Sequence, residues 1–173
     1  ICREIITSEK KLIKGLIIGI PNVGKSTLIN HLTGRKKART GYHPGVTKKQ
    51  DWIQVGKTLR CCDTPGILWP KFDDEKTGIL LAATHAIKDE RFEISEIVYF
   101  LVSYLLNHYP ENLKKRYKFD TLPATVDDIL EHIGKKRGCL VSGGGIDYDR
   151  LHGLFLHEFR RGLIGNISLE TTH

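Results

Sequence analysis

Methionine is absent from this chain, and the first residue is Ile1. A complete cytosolic chain begins with methionine. The sequence therefore predicts residues ahead of Ile1, or methionines omitted throughout. Long apolar runs are absent too. No eighteen consecutive apolar residues occur, which excludes a membrane-spanning helix, and no secretory h-region is present. The expected setting is the cytoplasm, with no membrane partner. Cysteine is scarce: Cys2, Cys61, Cys62 and Cys139 fit no metal-ligand spacing. Adjacent Cys61 and Cys62 point to opposite faces of a strand and read as small strand residues of a reduced protein. The eight histidines show no metal-ligand spacing either. Internal repeats and low-complexity tracts are missing. Apolar residues make up 40% of the chain, which supports a packed core and argues against disorder.

Charge is present but uneven. Residues 1–91 hold 17 Lys and Arg against 9 Asp and Glu, and residues 92–173 hold 10 against 11. The basic surplus lies in "KKLIK", "GRKKAR" and "TKK", with later clusters in "KKRYK" and "GKKRG". Such clusters suit a polyanion, most simply RNA, with an ordinary solvated surface as the alternative; that three of them surround the phosphate-loop motif favours the first.

Periodicity divides the chain. "GLIIGI" reads as a buried strand and "KSTLINHLTG" as a helix closed by Gly34. Residues 35–47 read as a loop. "KQDWIQV" and "TLRCCD" read as strands joined by a two-residue turn, Gly56-Lys57, and "DEKTGILLAATHAI" as a helix. Beyond residue 92 the pattern is helical. "SEIVYFLVSYLLNHY" has Ser95 as expected N-cap, "TVDDILEHIGKKRG" runs from Thr125 to Gly138, and "DYDRLHGLFLHEFRRG" is capped by Asp147 and followed by Gly162. "GNISLE" is the one late stretch with strand-like alternation. The expected architecture is an α/β nucleotide-binding portion over 1–91 and a small all-α domain over 92–173.

The chemistry sits in the first portion. "GIPNVGKST" (19–27) matches G-x-x-x-x-G-K-[ST], with a strand before it and a helix after it. Backbone N–H groups of Asn22, Val23, Gly24, Lys25, Ser26 and Thr27 would wrap phosphate oxygens, helped by the helix N-terminus. Lys25 would reach the β- and γ-phosphates, and Ser26 would ligate Mg²⁺. In "HPGVT" (43–47), Thr47 is placed to close over Mg²⁺ and the γ-phosphate; a plain turn threonine is the alternative. In "DTPG" (63–66), Asp63 would serve Mg²⁺ and the Gly66 N–H would sense the γ-phosphate. The three motifs in this order identify a P-loop GTPase.

Two absences remain inside the motifs. The tetrapeptide Asn-Lys-x-Asp, which reads guanine, does not occur. The residue after "DTPG" is Ile67 rather than the glutamine that orients water in Ras-like enzymes. "GIPNVGKSTLIN", "PGVT", "DTPGILWPK", "AIKDE", "YPENLKKRY", "GKKRGCL" and "SGGGIDYDR" together resemble the bacterial ribosome biogenesis GTPase A family over almost the whole chain. These are circularly permuted GTPases that help mature the large ribosomal subunit. The resemblance implies that the guanine motif precedes the P-loop, upstream of Ile1, and that the catalytic histidine lies there as well. His43 is the one local substitute, with a solvated loop histidine as the plainer reading. Asn22 occupies the position where some potassium-stimulated members of the superfamily place a K⁺ ligand; an asparagine supporting the backbone fits equally.

The resemblance thus implies GTP or GDP with Mg²⁺ as ligands. It implies the precursor of the large (50S) subunit and its rRNA as partners, and a monomer. The alternative from another class is an RNA-binding module gated by nucleotide, with negligible hydrolysis of its own.

Overall fold

The computed structural model describes residues 12–38, 47, 49–68, 74–87 and 92–170. Its described residues form two compact units. One holds residues up to 68 together with 85–87, and the other holds 74–84 and 92–170.

The first unit is built on a three-stranded sheet in the order β1-β3-β2, with β1 Ile13–Ile17, β2 Asp51–Val55 and β3 Leu59–Asp63. β1 runs parallel to β3, pairing Ile13 with Leu59 and Ile17 with Asp63. β2 runs antiparallel to β3. One helix, α1 (Lys25–Thr33), lies between β1 and β2 in sequence. Ile29 of α1 packs with Ile53, Cys61 and Ala38 to form the core of this unit, bordered by Ile17, Val55 and Leu59.

Three details depart from the sequence reading. β1 ends at Ile17, because the Thr64 hydroxyl donates to the Ile17 carbonyl (2.7 Å) where the parallel ladder stops. β1 is also not buried throughout: Leu16 is 61% exposed, because it shares with exposed Lys14 a face of the strand that no described element covers. The hairpin turn has three residues, Gly56, Lys57 and Thr58, since Val55 pairs directly with Leu59. Gly56 takes φ 64, a conformation that costs other L-residues energy.

α1 ends as expected. Gly34 adopts φ 63 and its N–H bonds the His31 carbonyl. Cys61 and Cys62 point to opposite faces, and both are buried free thiols.

The second unit contains α2 (Glu75–Ala83), α3 (Ile94–His108), α4 (Pro110–Tyr117), α5 (Val126–Arg137) and α6 (Tyr148–Arg160). The sequence reading assigns α2 to the nucleotide-binding portion, residues 1–91. In the structure residues 74–84 group with the helices, and α2 packs on α3. Gly78 makes this possible: a Cβ there would stand 2.5 Å from Cζ of Phe92.

The core of this unit comes from helical spacing. Ile97, Val98, Leu101, Val102 and Leu105 of α3 are buried, as are Ile129, Leu130 and Ile133 of α5 and Leu151, Phe155 and Leu156 of α6. Thr125 and Asp147 cap α5 and α6 as expected, accepting from the N–H groups of Asp128 and Arg150. Ser95 is not a cap. It lies in the first turn of α3, whose N-cap is Glu93 without a side-chain bond. α4 begins on Pro110, a residue whose fixed φ and missing N–H suit a first helical position. "GNISLE" forms no strand. Among the described residues no helix is long and apolar enough to cross a membrane.

Candidate nucleotide and cation site

The loop between β1 and α1 holds the site. Asn22 and Gly24 both take left-handed backbone, φ 57 and φ 91, which turns the chain sharply into the helix. The first turn of α1 carries no acidic side chain, so nothing opposes an anion at the helix N-terminus. Val23 and Thr27 are exposed at the mouth of this turn.

The Lys25 ammonium bends back over the loop and donates to the carbonyls of Gly19 (3.0 Å) and Ile20 (2.7 Å). Burial lowers its pKa below the ordinary lysine value, and the charge of Asp63 opposes that shift. The ammonium is therefore held over the loop in a partly desolvated place, where a phosphate would gain most from it.

Three oxygen-bearing side chains from distant parts of the sequence meet beside it. Ser26 Oγ donates to Asp63 Oδ2 at 2.7 Å and lies 3.2 Å from Thr47 Oγ1. Asp63 is 2% exposed, and its other oxygen, Oδ1, is buried with no hydrogen-bond partner. A buried carboxylate oxygen left unpaired is costly. A hydroxyl pair and a carboxylate are the donors a hard cation such as Mg²⁺ takes, so the residues present fit that ion. The structure thus brings together Ser26, Thr47 and Asp63, the three residues that the sequence reading assigns to Mg²⁺. His43 lies outside the described residues.

Gly66 sits against the same loop. A Cβ on it would stand 2.5 Å from N and Cα of Pro21. Only glycine allows this approach, which sets the Gly66 backbone beside the phosphate loop. Ile67 follows it at 76% exposure, its side chain directed into no packed core.

The Asn22 side chain donates through Nδ2 to the His85 carbonyl at 2.6 Å. Of the two roles weighed from sequence for this residue, backbone support is the one with a visible bond. Sequence reasoning missed three participants: Pro21, Thr64 and His85. "DTPG" and "GIPN" contain the first two, but a close approach and a ladder-ending hydroxyl leave no spacing signal. A backbone carbonyl such as that of His85 leaves none at all.

The basic clusters of the helical unit are also sorted by the structure. Arg116 and Arg137 turn inward onto buried Glu158, with Nε and Nη2 at 2.9 Å and 3.0 Å from its oxygens. Arg160 donates to the carbonyls of Ala82 and Ala83. Lys114 and Lys135 pair with Glu111 and Glu131 on their own helices. Lys115, Lys118 and Lys136 are exposed.

A family model described as 50S ribosome-binding GTPase matches residues 14–141. The chain is 48% identical to ribosome biogenesis GTPase A of Bacillus cereus over 161 residues, covering 93% of this chain and 54% of that protein. It is 30% identical to ribosome biogenesis GTPase A of Thermotoga maritima over 163 residues, covering 94% and 58%. The chain spans about half the length of the curated relatives it matches. Among solved structures, GDP-bound YlqF from T. maritima matches with a TM-score of 0.60 and 28% identity over 97% of this chain and 66% of that one. GNP-bound YlqF from the same organism matches with a TM-score of 0.57.

Proposed function

The chain belongs to the 50S ribosome-binding GTPase family, and on that premise we propose that it binds a guanine nucleotide with Mg²⁺, hydrolyses GTP slowly, and serves the assembly of the large ribosomal subunit in the cytoplasm. The observation that carries this reading is the meeting of Ser26, Thr47 and Asp63 beside Lys25, with Asp63 Oδ1 buried and unpaired.

In this reading the N–H groups of residues 22–27 and the Lys25 ammonium hold the phosphates. Ser26, Thr47 and Asp63 would hold Mg²⁺, which when bound neutralises charge developing on the phosphate oxygens. Thr47 belongs to a segment that closes with triphosphate, and Gly66 presents its N–H from the second such segment. Ile67 can neither give nor take a proton. The water is therefore positioned by a group outside positions 63–67, and intrinsic turnover is low. The proposed partners are the precursor of the large subunit and its rRNA, met by a monomeric protein. A circularly permuted order of the GTPase motifs accounts for a P-loop chain without Asn-Lys-x-Asp after "DTPG". Potassium as a further ligand at Asn22 belongs to the same proposal.

A single-turnover GTP assay with and without large ribosomal subunits tests the reading. Hydrolysis raised by the subunit and abolished by Lys25→Ala is the expected result. Binding of nucleotide with no hydrolysis under either condition would leave the nucleotide-gated module instead. No binding of guanine nucleotide would overturn both.

A further inference from the structure

Three non-glycine residues among those described have positive φ: Asn22, His85 and Lys118. Lys118 ends α4, an ordinary place for left-handed backbone. The other two are joined to each other by the 2.6 Å bond from Asn22 Nδ2 to the His85 carbonyl. Such conformations persist in non-glycine residues where surrounding contacts enforce them.

His85 directly follows Thr84, the C-cap of α2. Residues 74–84 group with the helices and 85–87 with the sheet, so the chain passes from one unit to the other at this peptide. On the helical side, Arg160 at the end of α6 grips the last carbonyls of α2, Ala82 at 2.8 Å and Ala83 at 3.2 Å. Ala82 and Ala83 on the helical side and Ala86 on the sheet side are buried. Within about four residues, the passage is held from the phosphate loop by one side chain and from α6 by another.

We infer that Asn22 and Arg160 couple the phosphate loop to α6 through residues 82–85. Phosphate bound to residues 19–27 fixes the Asn22 backbone. The Asn22 amide then fixes His85, and the Arg160 fork carries the constraint from the end of α2 to α6. Asn22 acts here as a positioning residue, through the bond it makes rather than through contact with the nucleotide. The inference rests on the reading that residues 19–27 hold phosphate.

Amide hydrogen exchange tests it on the chain as it exists, at saturating GDP and at saturating slowly hydrolysed GTP analogue. The wild type should show exchange slowed about threefold or more by nucleotide at residues 82–86 and 157–161, in addition to residues 19–27. Asn22→Gly keeps the left-handed backbone and deletes the amide. Measured at nucleotide concentrations raised until residues 19–27 are protected, it should lose the response at 82–86 and 157–161. Arg160→Lys removes the fork but keeps the charge. It should bind nucleotide as the wild type does, respond at 85–86, and lose the response at 157–161.

Survival of the 157–161 response in Asn22→Gly would overturn the inference. So would a wild type protected at 19–27 but silent at 82–86. Repeating the measurement in KCl and in NaCl adds a further arm. An Asn22→Gly chain that loses only a difference between the two salts assigns the side chain to an ion and overturns the coupling. Absence of protection at 19–27 with any nucleotide removes the phosphate reading and the inference with it.

Discussion

Lys25 is held by two carbonyls of its own loop and lies near the charge of Asp63, so its ammonium is fixed before any phosphate meets it. Lys25→Ala removes a point charge from a site shaped around it. Triphosphate binding measured by calorimetry should fall below detection, and near-unchanged affinity would refute the placement. Gly66 gives a separate test of the same cradle. Gly66→Ala forces a methyl group to 2.5 Å from Pro21 backbone, so the loop or the "DTPG" segment must move. Nucleotide affinity should drop about tenfold or more, a cost of about 1.4 kcal/mol, while thermal stability changes little. Glu158 is a residue-scale question of stability. Burial pushes its carboxyl up, but the hydrogen bond from Arg116 and the charges of Arg137 and Arg116 outweigh this and hold it below the usual value. A depressed folded-state pKa contributes stability above the unfolded-state value of about 4.3, and that stability disappears as pH falls through the folded value. Glu158→Ala leaves two arginines facing a buried gap. It should cost about 3 kcal/mol by denaturant unfolding at pH 7, the low end for a broken buried pair because both arginines are partly solvated. The difference from wild type should shrink below about pH 4.

At the scale of elements, the helix ends were the most legible part of the sequence. Gly34, Thr125, Gly138 and Asp147 act as caps because capping is local chemistry between neighbours in the chain. The meeting of Ser26, Thr47 and Asp63 was legible for a related reason: each residue sits in a short motif whose strand, loop and helix context dictates the meeting point. The fates of the arginines were not legible. "KKRYK" and "GKKRG" look alike from sequence, yet Arg116 and Arg137 serve Glu158 on α6, and only tertiary packing decides that. α4 escaped notice because Pro110 reads equally well as a break or as a first helical residue. These assignments sharpen the expectation for RNA. Charge reversal at Lys115 of α4 and Lys136 of α5, both exposed, should weaken binding to large-subunit precursors. It should also reduce the slope of log affinity against log salt by about 0.9 for each phosphate no longer neutralised. Equal affinity and slope in the double variant would mark these lysines as solvated only. Reversal at Arg116 or Arg137 should instead destabilise the fold.

For the whole molecule, exposed Ile67 decides the expected kinetics. A chain whose residue directly after Gly66 has no side-chain group to handle water should turn over slowly alone. Supply of the missing group by partner or loop ordering is worth on the order of 10³–10⁵ in rate among related enzymes. Ile67→Ala should leave subunit-stimulated turnover within a fewfold of wild type. His43→Ala should keep most of the stimulated rate too. A loss of about a hundredfold with GTP binding intact would place the water-handling group at His43. The parallel pairing of Ile13 with Leu59 has a consequence of another kind. The chain must close the long excursion through α1 and β2 before the β1–β3 ladder offsets the entropy of that loop. The helices beyond form from local contacts, and consecutive α3 and α4, and α5 and α6, already meet, although the packing of α3 on α6 needs a closure of its own. On refolding from denaturant, helical circular dichroism should recover ahead of the fluorescence of Trp52 on β2, followed in a Trp69→Phe chain. A ligand gripping the phosphate loop would then accelerate nothing in the first phase and stabilise only the product of the second.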